Sequence, residues 1–110
     1  MFGDFLTLAA DQLINHAAKF RWMYNDQVRL PLVVRTPMGG RRAYGPTHSQ
    51  TLEKLFLGVP GLKVVAPCAL NVPADQASGG QANAGALLHA AIADNDPVLF
   101  IENKLLYFAG

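Results

Sequence analysis

The spacing of apolar side chains over residues 4–24 predicts an amphipathic helix. Apolar residues recur there at intervals of three, four and seven, as expected for one face of a helix. Asp4 stands where an N-cap is expected, and Asn25 and Asp26 interrupt the pattern after it. The residues that form the apolar stripe are Leu6, Ala9, Ala10, Leu13, Ile14, Ala17 and Phe20.

Three short apolar runs that contain valine or isoleucine predict buried strands. They occupy residues 30–35, 62–66 and 97–101. The apolar residues are continuous rather than alternating, which is typical of strands covered on both faces of a sheet. Pro97 opens the third run, at a position where the missing N–H is tolerated.

Two further helices are predicted between these strands. Thr47 and Gln50 have the spacing of a capping box, which predicts a second helix that begins at about His48, contains the amphipathic run 51–58 and ends at Gly58. Its buried side chains would be Leu52, Leu55 and Phe56. The third helix would bury one face formed by Ala84, Leu87, Leu88, Ala91 and Ile92. Alternating helices and strands predict an α/β fold with three α/β/α layers and a small parallel sheet.

Residues 71–83 differ from the rest of the chain. They include Pro73, Ser78, Gly79 and Gly80 and no aromatic residue. This composition predicts a flexible loop or inserted linker within one domain that spans residues 1–110.

Composition narrows the choice of partners. Hydrophobic residues make up 51% of the chain and charged residues 15%, which predicts exposed apolar surface and a homo-oligomer. The net charge of +1 predicts binding to neither nucleic acid nor membrane lipid. No apolar run has the roughly 18–20 residues of a transmembrane helix. The single cysteine, Cys68, excludes an internal disulfide, so a cytoplasmic location is the default expectation.

His48 is the main candidate for chemistry. It follows the loop that contains Gly45 and would begin the second helix, where α/β folds often hold ligand-binding groups. The helix dipole would favour a neutral imidazole there, able to accept or donate a proton. The alternative is an imidazole that only hydrogen-bonds loop carbonyls. Neither His16 nor His89 has a partner at metal-ligand spacing.

Four sequence blocks resemble one enzyme domain in order and spacing. They are Pro-Leu-Val-Val-Arg-Thr-Pro at 31–37, Thr-His-Ser-Gln at 47–50, Pro-Gly-Leu-Lys-Val-Val at 60–65 and Asp-x-x-Pro-Val-Leu-Phe-x-Glu at 94–102. The chain resembles the thiamine-diphosphate pyrimidine-binding domain of the transketolase superfamily. Within it, the chain is most similar to the beta subunit of the decarboxylating component of 2-oxo acid dehydrogenases of the pyruvate, branched-chain and acetoin types. Nearly the whole chain is covered, apart from residues 71–83.

The resemblance implies a cofactor and roles for individual residues. Thiamine diphosphate with magnesium would be the cofactor, and Met1 and Phe5 would line its aminopyrimidine ring. His48 would face the reacting centre and the incoming lipoyl group. Potassium, bound in some members largely through backbone oxygens, would lie at Leu32, Ala91, Asp94 and Asp96. The implied partners are an alpha subunit and a lipoyl-bearing acyltransferase.

The resemblance also implies that the chain is a fragment or truncated relative. The family's catalytic glutamate would lie before Met1, and the diphosphate-binding half belongs to a separate domain. We therefore expect the chain alone to be inactive in oxidative decarboxylation and to hold no cofactor. The alternative expectation is a non-catalytic, self-associating α/β protein derived from that domain.

Overall fold

A computed structural model describes residues 2–67 and 84–108 of the chain. Its sheet has three parallel strands in the order β1-β3-β2, where β1 is Val33–Met38, β2 is Lys63–Val65 and β3 is Val98–Asn103. Val98 of β3 pairs with Val33 on one side and with Lys63 on the other. The three strands are therefore aligned, and their carboxyl ends lie at one edge of the sheet.

Helical turns cover both faces of the sheet. The N-terminal helical segment, residues 3–23, contains a 3₁₀ stretch, Gly3–Ala9, a π stretch, Gln12–Ala17, and helix α1, Ala18–Met23. The second helix, α2, is Ala84–Ala93, and the short 3₁₀ turns are Pro46–His48, Glu53–Leu55 and Lys104–Phe108.

Two hydrophobic clusters lie between the sheet and the helical elements on its two faces. Leu99 and Ile101 of β3 pack with Leu6 and Leu13 of the N-terminal segment and with Phe56. Val98 and Phe100, which alternate with them along β3, pack with Ala91 of α2. Helical elements on both faces of a parallel sheet confirm the predicted α/β fold.

The first predicted helix is present but irregular, and Asp4 does not cap it. Phe2 precedes the first turn, and no side-chain hydrogen bond caps that turn. Asp4 is instead buried, and its carboxylate accepts hydrogen bonds from Gln50. Oδ1 of Asp4 therefore bonds to a residue 46 positions away in the chain and not to the N-terminal turn.

The second predicted helix is wrong. Of residues 51–58, only Glu53–Leu55 form a 3₁₀ turn, and the capping box does not form. The Thr47 hydroxyl contacts His48, and the Gln50 side chain contacts Asp4. A helix without its cap does not offset the cost of nucleation over so few residues. Phe56 is nevertheless fully buried, as the pattern predicted, whereas Leu55 is exposed.

The remaining elements are found where the sequence predicts them. In helix α2, Ala84–Ala93, Ala91 is buried, whereas Ile92 is 62% exposed and does not belong to the buried face. β1 and β3 extend beyond their predicted ends, to Met38 and Asn103. The predicted insertion at residues 71–83 lies outside the described residues. Within the part of the chain that is described, no helix is long and apolar enough to cross a membrane.

Candidate functional site

The turn that carries His48 lies at the carboxyl edge of the sheet. The N–H of Gly39, directly after β1, donates to the carbonyl of Gln50 at 3.2 Å. The N–H of Leu52 contacts the sulfur of Met38 at 3.3 Å. Open α/β sheets bind ligands at this edge, beyond the carboxyl ends of their strands.

Two phenylalanine rings meet the imidazole of His48 edge-on. The centroid of the Phe2 ring lies 4.7 Å from that of His48, and the Phe5 centroid lies 5.4 Å from it. The Thr47 hydroxyl contacts Nδ1 of the imidazole at 2.9 Å. Among the residues that the structure describes, Nε2 has no hydrogen-bond partner. The imidazole is therefore held at Nδ1 by Thr47 and by its contacts with the two phenylalanine rings.

Lys104 is a buried residue that contacts both His48 and Phe2. Its side chain donates a hydrogen bond to the backbone carbonyl of His48. The ammonium also lies 4.5 Å from the centroid of the Phe2 ring and 5.5 Å from that of Tyr44. Cation–π attraction and the carbonyl thus compensate for part of the water that the ammonium has lost.

Asp4 is the second buried charge near His48. One carboxylate oxygen, Oδ1, accepts from the backbone N–H of Gln50 at 3.3 Å and from its side-chain amide at 2.8 Å. The other oxygen, Oδ2, is buried without a hydrogen-bond partner among the described residues. Burial opposes ionisation, but the Gln50 hydrogen bonds and the positive charge of Lys104 outweigh it and hold the pKa of Asp4 below its ordinary value.

The structure brings together two of the three residues predicted for the reacting end of the site, Phe5 and His48. Met1 lies outside the described residues. The expected helix dipole at His48 is wrong, because the residue ends a three-residue turn instead of beginning a helix. Lys104 and Asp4 were not predicted as site residues. The only sequence signal at Lys104 is a cation that directly follows a buried strand.

The four residues predicted for potassium lie at the opposite edge of the sheet, before the strands begin. The carbonyl of Leu32 accepts from the N–H of Val98 at 2.8 Å, and that of Ala91 accepts from the N–H of Asp94 at 3.4 Å. Each of these carbonyls keeps a second lone pair.

The Asp94 and Asp96 carboxylates face cationic side chains. Lys63 Nζ lies 2.6 Å from Asp94 and 3.4 Å from Asp96, and Arg21 lies 3.0 Å from Asp96. The hydrogen bond from Lys63 lowers the pKa of Asp94, and the one from Arg21 lowers the pKa of Asp96. Among the described residues there is no cluster of three or more histidine, cysteine, aspartate or glutamate side chains suited to a metal ion. A cation here would depend on backbone oxygens, and the potassium site remains a prediction from the resemblance.

Comparison with known proteins gives one family. Residues 1–109 match the family described as "Transketolase, pyrimidine binding domain". The chain is 44% identical over 107 residues to the acetoin:2,6-dichlorophenolindophenol oxidoreductase subunit beta of Bacillus subtilis (strain 168), and the match covers 97% of this chain. It is 42% identical to the 2-oxoisovalerate dehydrogenase subunit beta of the same organism over 96% of this chain. It is 43% identical to the mitochondrial pyruvate dehydrogenase E1 component subunit beta-1 of Arabidopsis thaliana over 97% of this chain.

The matched region is a small part of each relative. It covers 28% of the acetoin oxidoreductase subunit, 29% of the 2-oxoisovalerate dehydrogenase subunit and 26% of the pyruvate dehydrogenase subunit.

Proposed function

Because the chain belongs to the transketolase pyrimidine-binding domain family, we propose that it forms the pyrimidine side of a thiamine-diphosphate site in the beta subunit of a 2-oxo acid dehydrogenase. The family is thiamine-diphosphate dependent, and the relatives are beta subunits named for oxidising acetoin, 2-oxoisovalerate or pyruvate. The observation that carries the proposal is the contact between Phe5 and His48 at the carboxyl edge of the sheet.

Phe5 is the residue proposed to bind the pyrimidine. Its side chain is 38% exposed beside His48, so part of the ring is open to a ligand. An aromatic side chain packs against a planar heterocycle at little cost in side-chain entropy. The resemblance implies that Met1, which lies outside the described residues, would complete this contact. When bound, thiamine diphosphate with magnesium would supply the carbanion chemistry of decarboxylation.

His48 is the residue proposed to move a proton. Nδ1 is held by Thr47, so Nε2 is the atom that would exchange the proton with a reacting group. The edge-on contacts with Phe2 and Phe5 restrict the orientation of the ring. We propose further that an alpha subunit supplies the diphosphate half of the site and that the acyl group passes to a lipoyl-bearing acyltransferase.

A potassium ion at the amino edge of the sheet belongs to the same proposal. The backbone oxygens of Leu32, Ala91, Asp94 and Asp96 would bind it. Lys63 and Arg21 neutralise the nearby carboxylates, so a monovalent ion is expected to stabilise the loop and to take no part in chemistry at His48.

Calorimetric titration of thiamine diphosphate, with magnesium, into the 110-residue chain tests the pyrimidine contact. We expect heat only at ligand concentrations well above micromolar, too weak for the isolated chain to hold the cofactor, because one half of the site is supplied by another domain. Thiamine should give heat similar to thiamine diphosphate, whereas inorganic diphosphate should give none. Phe5→Ala should abolish the heat and Leu8→Ala, an exposed apolar residue of the same segment, should not. Heat with inorganic diphosphate alone, or heat unaffected by Phe5→Ala, would refute the pyrimidine contact.

A chimera tests the activity. This chain would replace the matching 107 residues of the Bacillus subtilis acetoin oxidoreductase beta subunit, and reduction of dichlorophenolindophenol by acetoin would be measured. We expect activity in the chimera and a loss of about a hundredfold or more with His48→Ala, the usual range for removing a general acid or base. An active His48→Ala chimera would contradict the proposed role of His48.

The second candidate function is a non-catalytic protein that associates with copies of itself. Trp22 favours it, because this large side chain is 89% exposed and exposed aromatic residues commonly mark contact surfaces. Failure of the chimera together with a stable homo-oligomer would favour this candidate over the first.

A further inference from the structure

Two buried side chains of opposite charge hold the turn that carries His48 from two sides. We propose that Asp4 and Lys104 are positioning residues that fix the direction of the His48 imidazole. Proton transfer by the imidazole rests on the proposed function. The geometry of the turn that carries His48 does not depend on that function.

Lys104 fixes the backbone at His48 itself. Its side chain is only 6% exposed and donates to the His48 carbonyl. The rings of Phe2 and Tyr44 lie against the same ammonium. A buried ammonium is costly unless its partners are in place, so Lys104 has few alternative positions. The carbonyl to which it is bonded is consequently held as well.

Asp4 fixes the backbone two residues further on. It binds both the backbone N–H and the side-chain amide of Gln50. Asp4 has little freedom of its own, because the preceding Gly3 packs against the end of β1. A Cβ atom on Gly3 would lie 2.5 Å from Cγ of Met38 and 2.9 Å from the Pro37 carbonyl oxygen. The turn that carries His48 is therefore hydrogen-bonded to Asp4, which follows a glycine packed closely against the end of β1.

With the backbone held at His48 and at Gln50, only the side-chain torsions of the imidazole remain free. The edge-on contacts with Phe2 and Phe5 restrict these torsions. Phe2 contacts both the ammonium of Lys104 and the ring of His48, so a displaced lysine would disturb the ring as well as the backbone. Asp4 and Lys104 thus act on the imidazole without contacting a substrate.

Proton NMR of the full 110-residue chain tests this role in the absence of any cofactor. The ring protons of His48 lie beside two phenylalanine rings, whose ring currents displace their signals from those of an exposed histidine such as His89. In Lys104→Met the His48 signals should move towards those of His89, while the amide signals of β3 stay in place. The matched control is Lys19→Met, which removes a partly exposed lysine that also donates to a backbone carbonyl, that of Pro60 at 3.2 Å. The control should leave the His48 signals unchanged.

If Lys104→Met does not fold, the same NMR measurement on Gln50→Ala tests the positioning role. It removes an exposed side chain and leaves both buried charges in place, so the fold should persist while the Asp4 side of the turn is loosened. His48 signals that shift partway towards those of His89 would support the proposal. Unchanged signals in Gln50→Ala or in a folded Lys104→Met, or an equal shift in Lys19→Met, would overturn it. An active His48→Ala chimera would instead overturn the proposed function and leave the positioning of the ring standing.

Discussion

At the scale of single residues, the ionisation of Asp4 should make the free energy of unfolding depend on pH. Its pKa is lowered in the folded chain because the Gln50 hydrogen bonds and Lys104 outweigh burial. A carboxylate whose pKa is lower when folded stabilises the fold above its unfolded pKa, and loses that contribution as the pH falls through the folded value. The unfolded value is close to the ordinary 3.8, so the loss should begin below about pH 5.

We therefore expect Asp4→Asn to make the free energy of unfolding less dependent on pH in this acidic range. Urea denaturation at a series of acidic pH values would measure the slope. Gln50→Ala removes one of the hydrogen bonds that lower the pKa, so it should reduce the slope in the same direction. Asp94 and Asp96 also have lowered pKa values, so some pH dependence must remain. A slope identical to that of the unmodified chain would show that Asp4 makes no such contribution.

Thr47 gives a prediction on which the sequence and the structure disagree. As the cap of a helix, it should contribute about 0.5–2 kcal/mol to stability. In the structure the exposed Thr47 hydroxyl contacts the His48 ring and, among the described residues, no other group. Thr47→Ala should therefore cost no more than about 0.5 kcal/mol. Denaturant melts would measure this, with the buried Thr36→Ala as a larger reference. A Thr47→Ala loss above 1 kcal/mol would mean that the helix cap exists after all.

At the scale of elements, sequence patterns predicted the strands correctly and the second helix wrongly. The strands were predictable because continuous valine and leucine runs are buried on both faces of the sheet, as Leu99 and Phe100 are. The second helix was not, because a distant carboxylate binds the Gln50 side chain that the capping box required. A capping box forms only if its side chains hydrogen-bond to the nearby backbone. The Gln50 side chain instead donates to Asp4.

The site was predictable only in part, for the same reason. Resemblance to a family indicated His48 and Phe5, which the structure brings into contact. Lys104 bonds to a residue 56 positions away in the chain, and Asp4 to one 46 positions away. No periodicity or motif within either segment encodes these contacts. They follow from the parallel sheet, which brings the residues after β1 and β3 to one edge.

The turn before β2 gives a test of how closely elements pack. A Cβ atom on Gly61 would lie 1.9 Å from the carbonyl oxygen of Ala18, the first residue of α1. Gly58 has a similar backbone, with φ of 78° against 85°, but no atom lies within 4 Å of its Cβ position. Gly58→Ala should therefore cost about 1–2 kcal/mol from backbone strain alone. Gly61→Ala should cost a further 1–3 kcal/mol, roughly, from overpacking.

Denaturant melts of the two variants measure this difference, since the shared backbone strain cancels between them. Equal losses would show that α1 moves away from the turn easily. That result would contradict a close approach between α1 and the turn before β2.

At the scale of the whole molecule, three consecutive exposed apolar side chains lie at the carboxyl end of the N-terminal helical segment. Trp22 is 89% exposed, and the next two residues, Met23 and Tyr24, are more than half exposed. An open groove of about 780 Å³ lies beside Trp22 and is lined in part by Ala17, Ala18 and Pro60. A large aromatic side chain next to an open groove, lined by both apolar and charged residues, offers a second copy of the chain both an anchor and a place to receive one.

We therefore expect the chain to sediment as a dimer or larger species at low micromolar concentration. Trp22→Glu should weaken this association by about tenfold or more, because large aromatic residues dominate the energy of such contacts. The matched control is Ile92→Glu, which places the same charge on a residue that is 62% exposed on α2. Since α2 covers the other face of the sheet, this control should associate like the unmodified chain. A monomer mass for the unmodified chain would refute self-association, and an equal effect of both substitutions would remove Trp22 from the contact.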